Sequence, residues 1–162
     1  MRVLGLATRV EKKRATVHAV VLDDGLDDTN RFDLDEVCVV EEFDIPVDED
    51  ELAAQLGDAG ANIAGRSGSL SPDRVIIRRA DRPARPSNME GPRVRLLVDG
   101  ALTASAQRVV PDTVLRAGKE CGAAYGVSKD ELDEIAGSIV AARRKEAAAA
   151  ALSGLAEGRL PD

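Results

Sequence analysis

Two apolar runs rich in β-branched residues, 2–9 and 15–22, flank the charged tetrapeptide Glu11-Lys12-Lys13-Arg14. A solvated link of that length joins strands that lie antiparallel, so the chain commits itself to a β-hairpin. On the second strand Thr16, His18, Val20 and Leu22 share one face and Val17, Ala19 and Val21 the other, because side chains alternate along a strand. A lone hairpin is marginal in water, so the rest of the chain must extend the sheet and cover it.

The pattern downstream supplies those parts. Asp23-Asp24-Gly25-Leu26-Asp27-Asp28 is acidic and turn-rich and reads as a loop, and Phe32, Leu34 and the run 37–40 predict a third strand over 31–40. Asp48 with Glu51 marks a helix start, and Leu52, Leu56 and Ile63 carry an apolar stripe to about residue 65, although Gly57, Gly60 and Gly65 weaken it. Val75-Ile76-Ile77 is a short buried strand. Pro92 suits the first turn of a helix that Val94, Leu97, Val98, Ala101, Leu102 and Ser105 continue. A fifth strand lies on one side or the other of Pro111, at 109–110 or 113–115, and a short helix follows around 121–125. Ser128 and Glu131 form a capping box opening a helix whose core face is Leu132, Ile135, Ile139 and Val140, and the alanine run 147–151 extends or restarts it. The expectation is one domain over 1–155 with a flexible tail over 156–162. Its core is expected to bury Leu4, Leu6, Val17, Ile76, Leu97 and Ile135.

With two phenylalanines, one tyrosine and no tryptophan, that core is aliphatic, and base stacking on exposed rings has almost nothing to draw on. The net charge of −7 opposes general attraction to nucleic acid, but it is unevenly spread. Fourteen acids between Asp23 and Glu51 face one base, Arg31, whereas Arg74 to Arg95 holds seven arginines against Asp81 and Glu90. Cys38 and Cys121 have no metal-ligand spacing and fall in elements read as buried, where thiols act as small hydrophobes. No apolar run approaches the ~20 residues that cross a bilayer, and no signal-peptide pattern is present, so a cytoplasmic, non-membrane protein is expected.

Three stretches carry a resemblance: Leu4-Gly5-Leu6 in the first strand; Val75-Ile76-Ile77 leading through a loop with Asn88 into a small-residue-rich helix; and Pro111 to Val114 followed by Gly126-Val127-Ser128-Lys129-Asp130-Glu131-Leu132. With the order of elements, they make the chain resemble the ribonuclease-H-like superfamily, and within it the Holliday junction resolvases of the RuvC type. The resemblance implies an α/β fold with a five-stranded mixed sheet, an antiparallel hairpin meander joined to parallel strands, flanked by helices. It also implies a nuclease whose two divalent metals sit between acids at the end of the first strand, the end of the fourth and the C-terminal helix, stabilising both the attacking and the leaving oxygen. At those places this sequence has Ala7, Arg79 or Ala80, and the stretch 146–151, where Glu146 alone is acidic. The chain therefore resembles the family with its catalytic acids lost. No catalytic residue and no cofactor are expected. The alternative is a magnesium site relocated onto Asp81, Glu90, Asp133 or Glu146; against it, Asp81 pairs with a neighbouring arginine, Glu90 supports a helix start and Asp133 faces solvent.

Arg78, Arg79, Arg82 and Arg85 cluster where the resemblance places the substrate-facing edge, and guanidinium groups suit bidentate contact with phosphate. Neutralising the acidic lobe over 23–51 accounts for them equally. Lys129, with Ser128, stands at a helix start that favours anions, although capping explains Ser128 as well. His18 reads as a half-buried structural residue before it reads as a general base. The resulting expectation is a non-catalytic module that binds branched or structured nucleic acid through the arginine-rich edge, or a protein partner through the acidic lobe. The alternatives are a metal-dependent structure-selective nuclease and a structural or assembly protein.

Overall fold

A computed structural model of the chain describes residues 1–12, 14–25, 32–81, 90–157 and 159. The hairpin is β1 (Arg2–Glu11) and β2 (Arg14–Asp23), paired antiparallel with Ala7 opposite His18. β3 (Cys38–Asp48) adds antiparallel to β2, with a register shift between Val21 and Leu22. Helix α1 (Leu52–Leu70) then crosses to β4 (Arg74–Arg78), which runs parallel to β1, and α2 (Glu90–Val109) crosses to β5 (Thr113–Arg116), parallel to β4. The sheet order is β3-β2-β1-β4-β5. Helices α3 (Gly118–Tyr125), α4 (Lys129–Ile139) and α5 (Lys145–Ala156) complete the chain. This five-stranded mixed sheet flanked by helices is a ribonuclease-H-like architecture.

Strand alternation divides the core in two. Leu4, Leu6, Val17, Ala19 and Val21 face α1 and α2, where they meet Ile63, Val98 and Leu102. Val3, Ala7, Val20 and Leu22 face the other way, toward α3, α4 and α5. The alanine run lies fully buried on this second face, because Gly5 lets α5 rest directly on β1. A Cβ at position 5 would overlap the Ala147 carbonyl and the Ala151 amide. Gly60 plays the equivalent part between α1 and α2, where an added Cβ would run into Ser105. The glycine that weakens α1 as an isolated helix thus permits its closest tertiary contact.

Several expectations are corrected. The third strand runs from Cys38 to Asp48, not over 31–40, because Asp33 caps a 3-10 turn at Leu34–Glu36 and interrupts any earlier strand. Phe43, Ile45 and Val47 form its inward face, and Pro46 is tolerated because β3 is an edge. Cys38 is consequently exposed, while Cys121 is buried. Leu97 is 51% exposed, since α2 buries the row Val94, Val98, Leu102 and Ala106 instead. Ile135 is half-buried, and Leu4, Leu6, Val17 and Ile76 are fully buried. At the other end of the chain, Glu157 is ion-paired with Arg74 and Arg116, and Arg159 with the buried Asp24.

Candidate nucleic-acid interface

The parallel strands β1 and β4 end side by side, and ligands of open α/β sheets gather at the carboxyl ends of such strands. Ala7 is in register with Arg78 on β4 and with His18 on β2. The first turn of α5 brings Glu146 to the same place. The three elements on which the resemblance places acids therefore meet, with a methyl group, a guanidinium and one carboxylate.

The register puts Arg78, rather than the Arg79 or Ala80 expected from the sequence, beside Ala7. Arg78 is 2% exposed and donates two hydrogen bonds to the Asp133 carboxylate on α4, the one from Nη2 to Oδ2 measuring 3.0 Å. Burial works against its charge, but the Asp133 hydrogen bonds and the nearby Glu146 more than offset this and hold its pKa above the ordinary value. A fixed cation thus stands where a metal-binding arrangement needs an anion. Among the described residues, no group of three or more His, Cys, Asp or Glu is placed to hold a metal ion. The donor set at Ala7, Arg78 and Glu146 does not fit a two-metal centre.

The other residues singled out from the sequence are mostly committed inward. Arg79 is about one-third exposed and faces Glu120 at 3.3 Å. Lys129 Nζ lies 2.8 Å from Asp81, whose carboxylate also accepts the Gly118 amide at 3.1 Å. The Lys129 hydrogen bond is the chief reason that the Asp81 pKa is lowered, and the same bond raises that of Lys129. Asp81 therefore pairs with a lysine rather than an arginine, and Asp133 turns inward to Arg78 instead of facing solvent. Glu90 stands in the first turn of α2 and Glu146 lies 3.7 Å from Arg95. Ser128 accepts the Glu131 amide and caps α4. Arg82 and Arg85 lie outside the described residues.

Beside Ala7 the structure opens a cleft of about 250 Å³. Its charged lining is Arg9 from β1, Arg95 from α2, Arg143 from the 3-10 turn Ala142–Arg144 that precedes α5, and Lys145 and Glu146 at the start of α5. Arg95 reaches around the end of β4, its Nη2 at 3.4 Å from the Arg78 carbonyl. Arg143 and Lys145 are exposed, and Lys145 has no ion pair among the described residues. His18 forms the wall; it is 7% exposed and its Nδ1 lies 2.8 Å from Asp44. Asp44 in turn accepts two hydrogen bonds from Arg144, at 3.2 and 3.0 Å. Burial pushes the Asp44 carboxyl up, but the His18 and Arg144 hydrogen bonds outweigh it and its pKa is lowered.

Four cations and Glu146 line this cleft; Arg9 is also paired with Glu11 at 2.7 Å and Arg95 lies 3.7 Å from Glu146, which leaves Arg143 and Lys145 as its most exposed charges. The cations come from positions 9, 95, 143 and 145, so no local window of sequence displays them together. The basic triplet Arg143-Arg144-Lys145 ahead of the alanine run is the one signal from which the sequence reading could have found them. Ring stacking contributes nothing here, since Phe32 and Tyr125 pack edge-to-face at 5.4 Å and Phe43 is buried beneath Arg66.

No protein-family model matches the chain, and no curated protein matches it. Solved structures do. The chain is similar to Thermus thermophilus RuvC with a TM-score of 0.65 at 14% sequence identity, covering 94% of this chain and 92% of the other. It is likewise similar to T. thermophilus RuvC in complex with a Holliday junction substrate, with a TM-score of 0.64 at 16% identity and the same coverage, 94% and 92%. At such identities the likeness shows a RuvC-like fold alone.

Proposed function

We propose that this chain is a non-catalytic RuvC-like module that binds the phosphodiester backbone of nucleic acid at the cleft between β1, α2 and α5. One observation carries the reading: Arg9, Arg95, Arg143 and Lys145 line the cleft beside Ala7 with Glu146 as the one carboxylate of its lining and Glu11 paired to Arg9 at its edge, where a nuclease of this fold needs carboxylates. Guanidinium and ammonium groups converging on a concave site favour phosphate, and the absence of available rings makes the contact insensitive to base sequence. Arg78 serves the interior and Arg79 faces Glu120, while Arg82 and Arg85, which follow β4 in the sequence, are proposed as further phosphate contacts on the ground of their charge alone.

The test is a salt titration of binding to a fluorescent oligonucleotide. Binding is expected to be weak, independent of sequence and steeply reduced by salt, because counterion release supplies most of such affinity. Arg143→Ala with Lys145→Ala should weaken binding and flatten the salt dependence by about one contact per residue removed. Arg82→Ala with Arg85→Ala should do so to a smaller extent. No binding by the wild type at low salt, or magnesium-dependent cleavage that survives repurification, refutes the proposal.

A further inference from the structure

A second, larger depression of about 680 Å³ adjoins the cleft and shares Arg9, His18 and Arg143 with it. It runs along the β1–β2 hairpin to Lys12 and Arg14. The register explains why this surface exists. Ala7 pairs with His18, Arg9 with Thr16 and Glu11 with Arg14, so these residues occupy the sheet face on which α5 packs. Helix α5 begins at Lys145 and covers Gly5 and Val3, whereas Arg9, Glu11 and Arg14 on the same face stay exposed to solvent. On the opposite face the hairpin is covered, with Ala15 and Val17 buried and Val10 packed against them. The hairpin therefore has one dry face and one bare, mostly cationic face that continues the cleft.

We infer that a nucleic-acid strand held in the cleft continues across this bare hairpin face, with its next phosphates meeting Lys12 and Arg14. The inference rests on the phosphodiester reading of the cleft and adds the direction and length of the bound strand. From Arg9 to the turn at Lys12 the strand advances about 10 Å. A single phosphate group does not span that distance, so the cleft and the hairpin tip address different phosphates of one chain. A mononucleotide fills the cleft alone. The cations on the path are exchangeable: Arg9 is held by Glu11 at 2.7 Å and Arg14 by Asp48 at 3.1 Å, both exposed pairs that contribute little and yield readily to a phosphate. Glu11 is the one carboxylate lining this depression, and it repels a strand passing over it.

The experiment compares the wild type with Lys12→Gln/Arg14→Gln, Glu11→Gln and Arg143→Ala/Lys145→Ala. All are assayed by salt-titrated anisotropy with single-stranded oligothymidylate and oligouridylate of about 20 nucleotides, and with a duplex of similar length. Lys12→Gln/Arg14→Gln should weaken binding and reduce the salt slope by about 1.4 for a single strand. Glu11→Gln should tighten binding by about threefold, since it removes a like charge from the path. Thymidine monophosphate should compete with equal strength against the wild type and the hairpin variant, because it reaches only the cleft. The arms also separate RNA from DNA and single strand from duplex. If the cleft variant loses slope while the hairpin variant and Glu11→Gln match the wild type, the path is refuted and the cleft reading stands. If the wild type binds no oligonucleotide, both fail. Competition by polyglutamate as effective as by the oligonucleotide overturns the strand and marks an acidic protein as the occupant. Matching thermal melts for all variants establish that these differences do not come from unfolding.

Discussion

Arg78 and Arg143 stand at the same end of the sheet and carry the same group, yet they do opposite work. Arg78 is turned inward and bound by two hydrogen bonds to Asp133, with both side chains largely removed from water. Arg143 is 58% exposed, and its nearest carboxylate, on Asp44, is 3.9 Å away. The difference lies in what faces each one. An arginine with a bidentate carboxylate partner has its charge cancelled and its geometry occupied, while one with a distant partner projects its field into solvent. An arginine-rich stretch of sequence is therefore not an interface until its counter-ions are known.

The contrast is tested most severely by deleting the inward member. Arg78→Ala leaves Asp133 buried without a partner and should cost about 3–5 kcal/mol in urea unfolding. Replacing both, Arg78→Met with Asp133→Leu, should recover most of that loss. A cost below about 1 kcal/mol accompanied by weaker oligonucleotide binding breaks the comparison, because it places Arg78 among the outward cations.

Asp99 on α2 sharpens the same point, as a buried charge without a satisfactory partner. It is 2% exposed, and neither the Thr8 hydroxyl nor the Ala80 amide beside it closes a sound hydrogen bond on its oxygens. Burial pushes its carboxyl up to about 6, against the attraction of Arg95. The native state thus keeps a proton that the unfolded chain has released. Stability is unaffected below the ordinary carboxylate pKa, falls as pH rises from about 4 to 6, and carries the full penalty above that. A shift of this size amounts to roughly 3 kcal/mol. Asp99→Asn should accordingly raise stability by roughly 2–3 kcal/mol at pH 7.5 and flatten the profile between about pH 4 and 6, as read by urea unfolding.

The outward members should behave in the reverse manner. Arg143→Ala with Lys145→Ala should change stability by no more than about 0.5 kcal/mol, while oligonucleotide binding weakens. The smallest effect is expected from Ala7→Asp. The new carboxylate stands opposite Arg78 in the sheet register, where a metal pair would need a second acid, so no cleavage of branched DNA, duplex DNA or RNA should appear with magnesium or manganese. Metal-dependent cleavage in that variant, abolished by Glu146→Gln, shows that the inward cation does not block a metal after all.

Much of the scaffold was legible because it follows from local chemistry. The hairpin with its two faces, the short β4, the Ser128 cap of α4 and the helical alanine run all appear where spacing and propensity placed them. The third strand was misplaced because the deciding event, Asp33 capping a 3-10 turn, is a competition between two local structures that composition does not rank. Leu97 was misassigned because the i, i+3 and i, i+4 positions of α2 offered two overlapping stripes, and contact with β1 and α1 selected the one through Val94 and Val98.

The sequence by itself determined the order of strands and helices, the aliphatic character of the core, the absence of an acid at position 7 and the uneven distribution of charge. Each of these depends on residue identity or on neighbours within a few positions. Only the tertiary structure decided which cations are free. Arg78 finds its carboxylate 55 residues away, and Arg144 finds Asp44 at a separation of 100. The field at the cleft is the sum of side chains gathered from β1, α2 and the start of α5. Electrostatic interactions depend on distance and burial, and both are settled only when the sheet closes and α5 lies down on Gly5.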